Sequence, residues 1–188
     1  MNVLIAGLAL FALPHMYSIV FSTHRDGVRA KLGNAYRGLY ALISLVGLAL
    51  IVWGYSQVRA GPEAADQLFI PGEWTRHAAM LLVLLAFISL ASGKGYIAKW
   101  IAQPMSIGIG LWAVAHLLAN GKRAAVYLFG TFLAVAILDI VFSVMRGKKK
   151  QFEPKIRSDI IAVAAGVAVY AVFLLGFHPY VLNLPIVR

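Results

Sequence analysis

The chain has 188 residues, is 61% hydrophobic and only 13% charged, and has a mean hydropathy of +0.81, whereas soluble domains average about half apolar and a quarter charged. Its 17 Lys and Arg against 7 Asp and Glu give a net charge of +10, but these cations sit at the ends of apolar runs with no aromatic platform between them, which argues against nucleic acid as a partner. The absence of cysteine excludes disulfides, thiolate metal centres and cysteine nucleophiles.

Six apolar runs approach the roughly 20 residues that a helix needs to cross a ~30 Å hydrocarbon core. The first, 2–21, lacks a basic leader and a small-x-small cleavage site, so it reads as a helix rather than a signal peptide. A basic loop containing His24 follows, and Arg37 opens the second run, 38–58, between Tyr36 and Tyr40. The connection up to Arg76 holds Gly61-Pro62, Pro71-Gly72 and Trp74, a turn-rich stretch with an aromatic interface anchor. Runs 77–93 and 100–121 are joined by a short basic link and read as a helical hairpin. The fifth run, 124–145, contains Asp139, and the sixth covers 160–177. The alternation of a β-barrel is absent. The expectation is an all-α integral membrane bundle of about six transmembrane helices in one domain, 1–188, without a separate soluble domain.

Charge predicts the orientation. Arg25, Arg29, Lys31, Arg37, Lys94, Lys99, Arg146, Lys148, Lys149, Lys150, Lys155 and Arg157 fall in connections on one side, leaving Arg59, Arg76, Lys122, Arg123 and Arg188 on the other. The positive-inside bias then places both termini on the non-cytoplasmic side, with a bacterial inner membrane as the natural host. The Arg146 to Lys150 run is a topology signal that also suits anionic lipid headgroups.

Chemistry is carried by ionisable groups, which are costly in lipid. Of five histidines, His15, His77, His116 and His178 lie in or at the edge of predicted helices. Each alone reads as an interhelical hydrogen-bond donor; together, with no thiolate available, they suit axial ligation of haem in a bundle core better than mononuclear zinc. At 1.5 Å per residue His15 lies ~20 Å below the outer surface, His116 ~8 Å below it and His77 almost at it, so depth alone selects no pair. His178, before Pro179, reads as interfacial and structural. Asp139, the one carboxylate well inside a helix, must be protonated, paired or facing a polar cavity, with a basic residue at the inner surface as the default partner. Arg37 either snorkels to headgroups or pairs with a propionate.

The string Trp112-Ala-Val-Ala-His116-Leu-Leu-Ala-Asn120-Gly121 resembles the signature of the NnrU family of bacterial membrane proteins. Gly33-Asn-Ala-Tyr36-Arg37-Gly38-Leu39-Tyr40, Ser44-Leu-Val-Gly47, His15 and His178-Pro-Tyr extend the likeness over nearly the whole chain. Two positions depart: Gln103-Pro104 stands where His-Pro is frequent, removing one candidate ligand, and Asn183 where Gly is usual. The resemblance implies a link to denitrification, through expression or function of nitrite and nitric oxide reductases. The family is also similar to 15-cis-zeta-carotene isomerase, a membrane enzyme that uses haem b. What this implies here is haem b on His116, with His15 as the preferred second ligand and His77 in reserve, and Arg37, Trp112 and Asn120 around the group. Nitric oxide or a hydrophobic polyene is the implied small-molecule partner. An isomerase and a cofactor-free assembly protein with a membrane-protein partner are the competing expectations. A methyltransferase lacks the arginines and acids it would need around His178-Pro-Tyr, and no broken-helix repeat marks a transporter.

Overall fold

Apolar runs without water must satisfy their backbone groups internally, and helix is the form they take throughout this chain. The computed structural model describes residues 1–147, 151–184 and 186; Lys148, Lys149 and Lys150 of the basic run, and Arg188, lie outside the described residues. The helices are α1 (Asn2–Val20), α2 (Ser22–Leu32), α3 (Asn34–Ala60), α4 (Thr75–Ala91), α5 (Tyr96–Trp100), α6 (Pro104–Ala119), α7 (Arg123–Met145) and α8 (Ile156–Ala171). A 3₁₀ turn at Pro62–Ala65 follows α3, and α8 continues as π-helix over Val172–Val181. There is no strand among the described residues, only one isolated bridge between Gln67 and Lys122.

Four helical segments are long and apolar enough to cross a membrane: Asn2–Val20, Asn34–Ala60, Arg123–Met145 and Ile156–Val181. The apolar helices α4 and α6, at 17 and 16 residues, are shorter. Exposed side chains along these segments are apolar, Leu42, Leu45 and Val52 on α3 for example, as the surface of a membrane protein must be.

The helices pack in the order α3, α1, α7, α6, α4, α8. Two ends can be followed by hydrogen bonds. At the first, the Met1 ammonium meets Glu63 at 2.7 Å, Leu68 N donates to Gly121 O at 2.8 Å, and Arg59 donates to Leu182 O at 3.0 Å. At the second, Arg146 donates to Ile19 O at 2.6 Å, Lys155 N donates to Lys94 O at 2.9 Å, and the buried Asp159 of α8 accepts from Tyr96 N and Ile97 N at the start of α5. Helices α4 and α6 run between these same two ends. Small residues permit the close crossings, since lipid gives helices little hydrophobic reason to associate. A Cβ on Gly7 would lie 2.6 Å from Ile51 N, one on Gly47 2.7 Å from Phe11 N, and one on Gly166 2.7 Å from Ile88 Cα.

Three features depart from the sequence expectation. The basic loop after the first run is a helix, α2, whose chain Ser-Thr-His-Arg-Asp-Gly-Val-Arg-Ala-Lys-Leu is too polar to register as an apolar run; Gly33, at φ 56°, ends it. The expected run 100–121 is divided, because Pro104 disfavours helix at Gln103 and itself supplies a ready first residue for α6. Asp139 makes no ion pair among the described residues; Ser106 Oγ of the neighbouring α6 donates to it instead. The two helices' packing brings that hydroxyl within reach, which no charge count could reveal.

Candidate functional site

The site begins with His116, one turn before the end of α6. A backbone carbonyl can only accept, so the 2.8 Å contact between His116 Nδ1 and Trp112 O fixes the proton on Nδ1 and leaves the Nε2 lone pair free in the neutral ring. Histidines that hold a metal usually make such a bond with their other ring nitrogen. The fully buried Ala113 and Ala125 let α6 and α7 approach, and the aromatic wall forms over them. Phe129 lies against the His116 ring, 4.3 Å between centroids at 22°, and Trp112 stands 5.0 Å away. Trp112 in turn meets Phe129 and Phe132 edge to face.

Opposite His116 stands His178, from the π-helical end of α8. Its ring centroid is 6.4 Å from that of His116, with the planes 25° apart. Its Nδ1 bonds Phe173 O, five residues back, at 2.7 Å, so the free nitrogen is again Nε2. Neither Nε2 has a hydrogen-bond partner among the described residues. Reading the sequence missed this pairing by treating His178 as interfacial. The available signal was the His-Pro dipeptide inside an apolar helical run, since proline disrupts α register and π-turns concentrate at functional sites.

His15 has the same local bond, Nδ1 to Phe11 O at 2.7 Å, and stacks on Phe11 at 4.3 Å with Tyr40 5.2 Å away. It reaches the His116 cluster only through other rings: Phe11 meets Phe132 at 5.0 Å, and Phe132 meets Trp112 at 5.6 Å. Counting 1.5 Å per residue along each helix, His15 is ~20 Å from the first end and His116 ~5 Å from it. His77 is exposed in the first turn of α4, at the first end. Arg37 is exposed at the second end, in an open cleft with Asp26, Arg29 and Asn34, so the fold separates it from His116 by nearly the length of α3. Trp112 is beside His116. Asn120 Oδ1 accepts from Lys122 N at 3.0 Å and so shapes the α6–α7 turn. Gly121 lets the 67–69 segment pack on that turn, because a Cβ there would collide with Phe69 O. Part of the Trp112–Gly121 string thus has a structural reason.

Among the described residues no three His, Asp or Glu side chains converge to cage a metal ion. A family model described as NnrU protein matches residues 3–186. No curated protein and no solved structure matches the chain.

Proposed function

The chain belongs to the NnrU family, and on that premise we propose that it is a haem b-binding protein of the bacterial inner membrane, with six crossings, in which His116 would hold the group. The observation that carries this reading is the His116 ring, presented from a bundle core with Nδ1 tied to Trp112 O and Nε2 free. Bound haem would supply reversible ligand binding or one-electron chemistry at its iron. This chain's part is to hold the imidazole in one tautomer and to wall the group with Trp112 and Phe129. The family link to denitrification makes the role one in expression or function of nitrite and nitric oxide reductases, with nitric oxide as the small ligand.

The reading of six crossings is supported by α4 and α6, shorter apolar helices packed against each other and against the longer α7 and the Ile156–Val181 segment. An orientation with both termini outside is supported by the charges: the second end carries Arg25, Arg29, Lys31, Arg37, Lys94, Lys99, Arg146, Lys155 and Arg157.

The test is a pyridine haemochrome assay on detergent-purified protein and on His116→Ala. About one haem b per chain in the parent and its loss in the variant are expected; full retention in His116→Ala contradicts the assignment. A second reading, isomerisation of a polyene, is favoured by one observation: Phe173, Leu175, Phe177 and Tyr180 around His178 are exposed, so the site opens to the medium a lipid-soluble substrate occupies. Feeding a 15-cis polyene to cells with and without the protein separates the readings, since only the isomerase alters the carotenoid.

A further inference from the structure

We propose that the cleft between α2 and the start of α3 binds the phosphate of an anionic phospholipid, held by Arg29 and Arg37. The proposal rests on the chain's place in a membrane and not on haem. Gly33, at φ 56°, turns the chain between the two helices. Arg29, one turn before it, and Arg37, one turn after it, therefore line the same open cleft of ≈ 380 Å³, together with Asp26 and Asn34.

Charge in this cleft is not balanced from within. Its one acid, Asp26, is already engaged, because Arg25 donates to the same carboxylate oxygen through Nε at 2.9 Å and Nη2 at 2.7 Å. Arg29 and Arg37 are exposed and make no ion pair among the described residues. Two guanidinium groups lining one cleft repel each other unless an anion lies between them, and phosphate oxygens match the guanidinium fork in bidentate pairs. The Asn34 amide adds a further donor to the same lining.

The surface below the cleft favours a lipid over a free anion. Ala41, Leu45, Leu48 and Val52 follow Arg37 at i+4, i+8, i+11 and i+15, so they share its face of α3, and all four are exposed. An acyl chain hanging from a phosphate at Arg37 has that apolar strip to lie on. Helix α2 has no buried residue and is polar along its length, with Phe21 and Leu32 exposed at its two ends, as suits a helix at headgroup level. A zwitterionic headgroup brings a cation of its own that the two arginines would repel, so the preference is for a lipid with net negative charge, such as phosphatidylglycerol.

The experiment titrates the detergent-purified, lipid-stripped chain with dioleoyl phosphatidylglycerol or dioleoyl phosphatidylcholine and counts bound lipid by native mass spectrometry. The parent is expected to take one phosphatidylglycerol per chain well before it takes phosphatidylcholine. Arg29→Gln/Arg37→Gln should need at least about tenfold more phosphatidylglycerol for half-occupancy, because its charge-assisted contacts are gone. Lys31→Gln/Arg157→Gln removes the same charge from the same end outside the cleft and should bind as the parent does. Arg37→Lys keeps the charge without the fork and should fall between; it carries the test if the double glutamine variant does not fold. Parent affinity in the double glutamine variant or in Arg37→Lys overturns the proposal, and so does an equal loss in the charge-matched control, which would reduce the effect to general surface charge. Inorganic phosphate binding the parent as tightly as phosphatidylglycerol, by calorimetry, makes the cleft a free-anion site and overturns the lipid assignment. Haem stoichiometry read on the same samples should not differ among them, so a parent without haem leaves this test intact.

Discussion

His116, His178 and His15 each bond a carbonyl of their own helix through Nδ1, so the local hydrogen bond does not distinguish a ligand from a structural histidine; what differs is the ring beside each, His178 near His116 but Phe11 and Tyr40 around His15. That information is tertiary. From sequence, His116 could be singled out because it sits in a recognisable string, but its neighbour across the bundle could not. The other intramembrane polar group makes the same point: Asp139 finds Ser106 Oγ, a residue with no charge to advertise it. Ser106 is buried, so Ser106→Ala removes a donor and strands the carboxyl. The expected cost is ~1–3 kcal/mol, read as a lower unfolding midpoint in detergent. An unchanged midpoint would show that Asp139 has another partner.

At the scale of elements, hydropathy located the long helices because crossing lipid is a demand on local composition. It passed over α2, which is polar along its length, and the π winding after Ala171, a segment that contains Pro179. Helix contacts rest on glycine at the α1–α3 crossing, where Gly7 and Gly47 leave no room for a Cβ. Gly47→Val therefore overpacks a backbone contact that cannot yield as a side chain would. Destabilisation of at least ~1–3 kcal/mol is expected, whereas Gly38→Val, where nothing lies within 4 Å of an added Cβ, should cost far less. Comparable midpoints for the two variants would mean that this crossing is looser than its geometry implies.

For the whole molecule, the row of helices α3, α1, α7, α6, α4, α8 is tied at its far ends by Arg59 and Leu182, and this closure brings the last segment of the chain to α6. Such long-range return cannot be read from runs and loops, although the two charged ends could be, since cations are excluded from the spans one residue at a time. The absence of native cysteine makes orientation directly measurable. In intact bacterial cells a single cysteine at Glu73 should react with a membrane-impermeant maleimide, and one at Lys31 should react only after lysis. The reverse pattern would invert the topology.

The central claim is that this bundle holds haem b on His116. It is tested most directly by the absorption spectrum of the purified protein, oxidised and then reduced with dithionite, with pyridine haemochrome stoichiometry beside that of His116→Ala. The account predicts about one haem b per chain in the parent and none in the variant. A parent that stays colourless after expression with added haem precursor would contradict it and leave an assembly or interaction role as the better explanation.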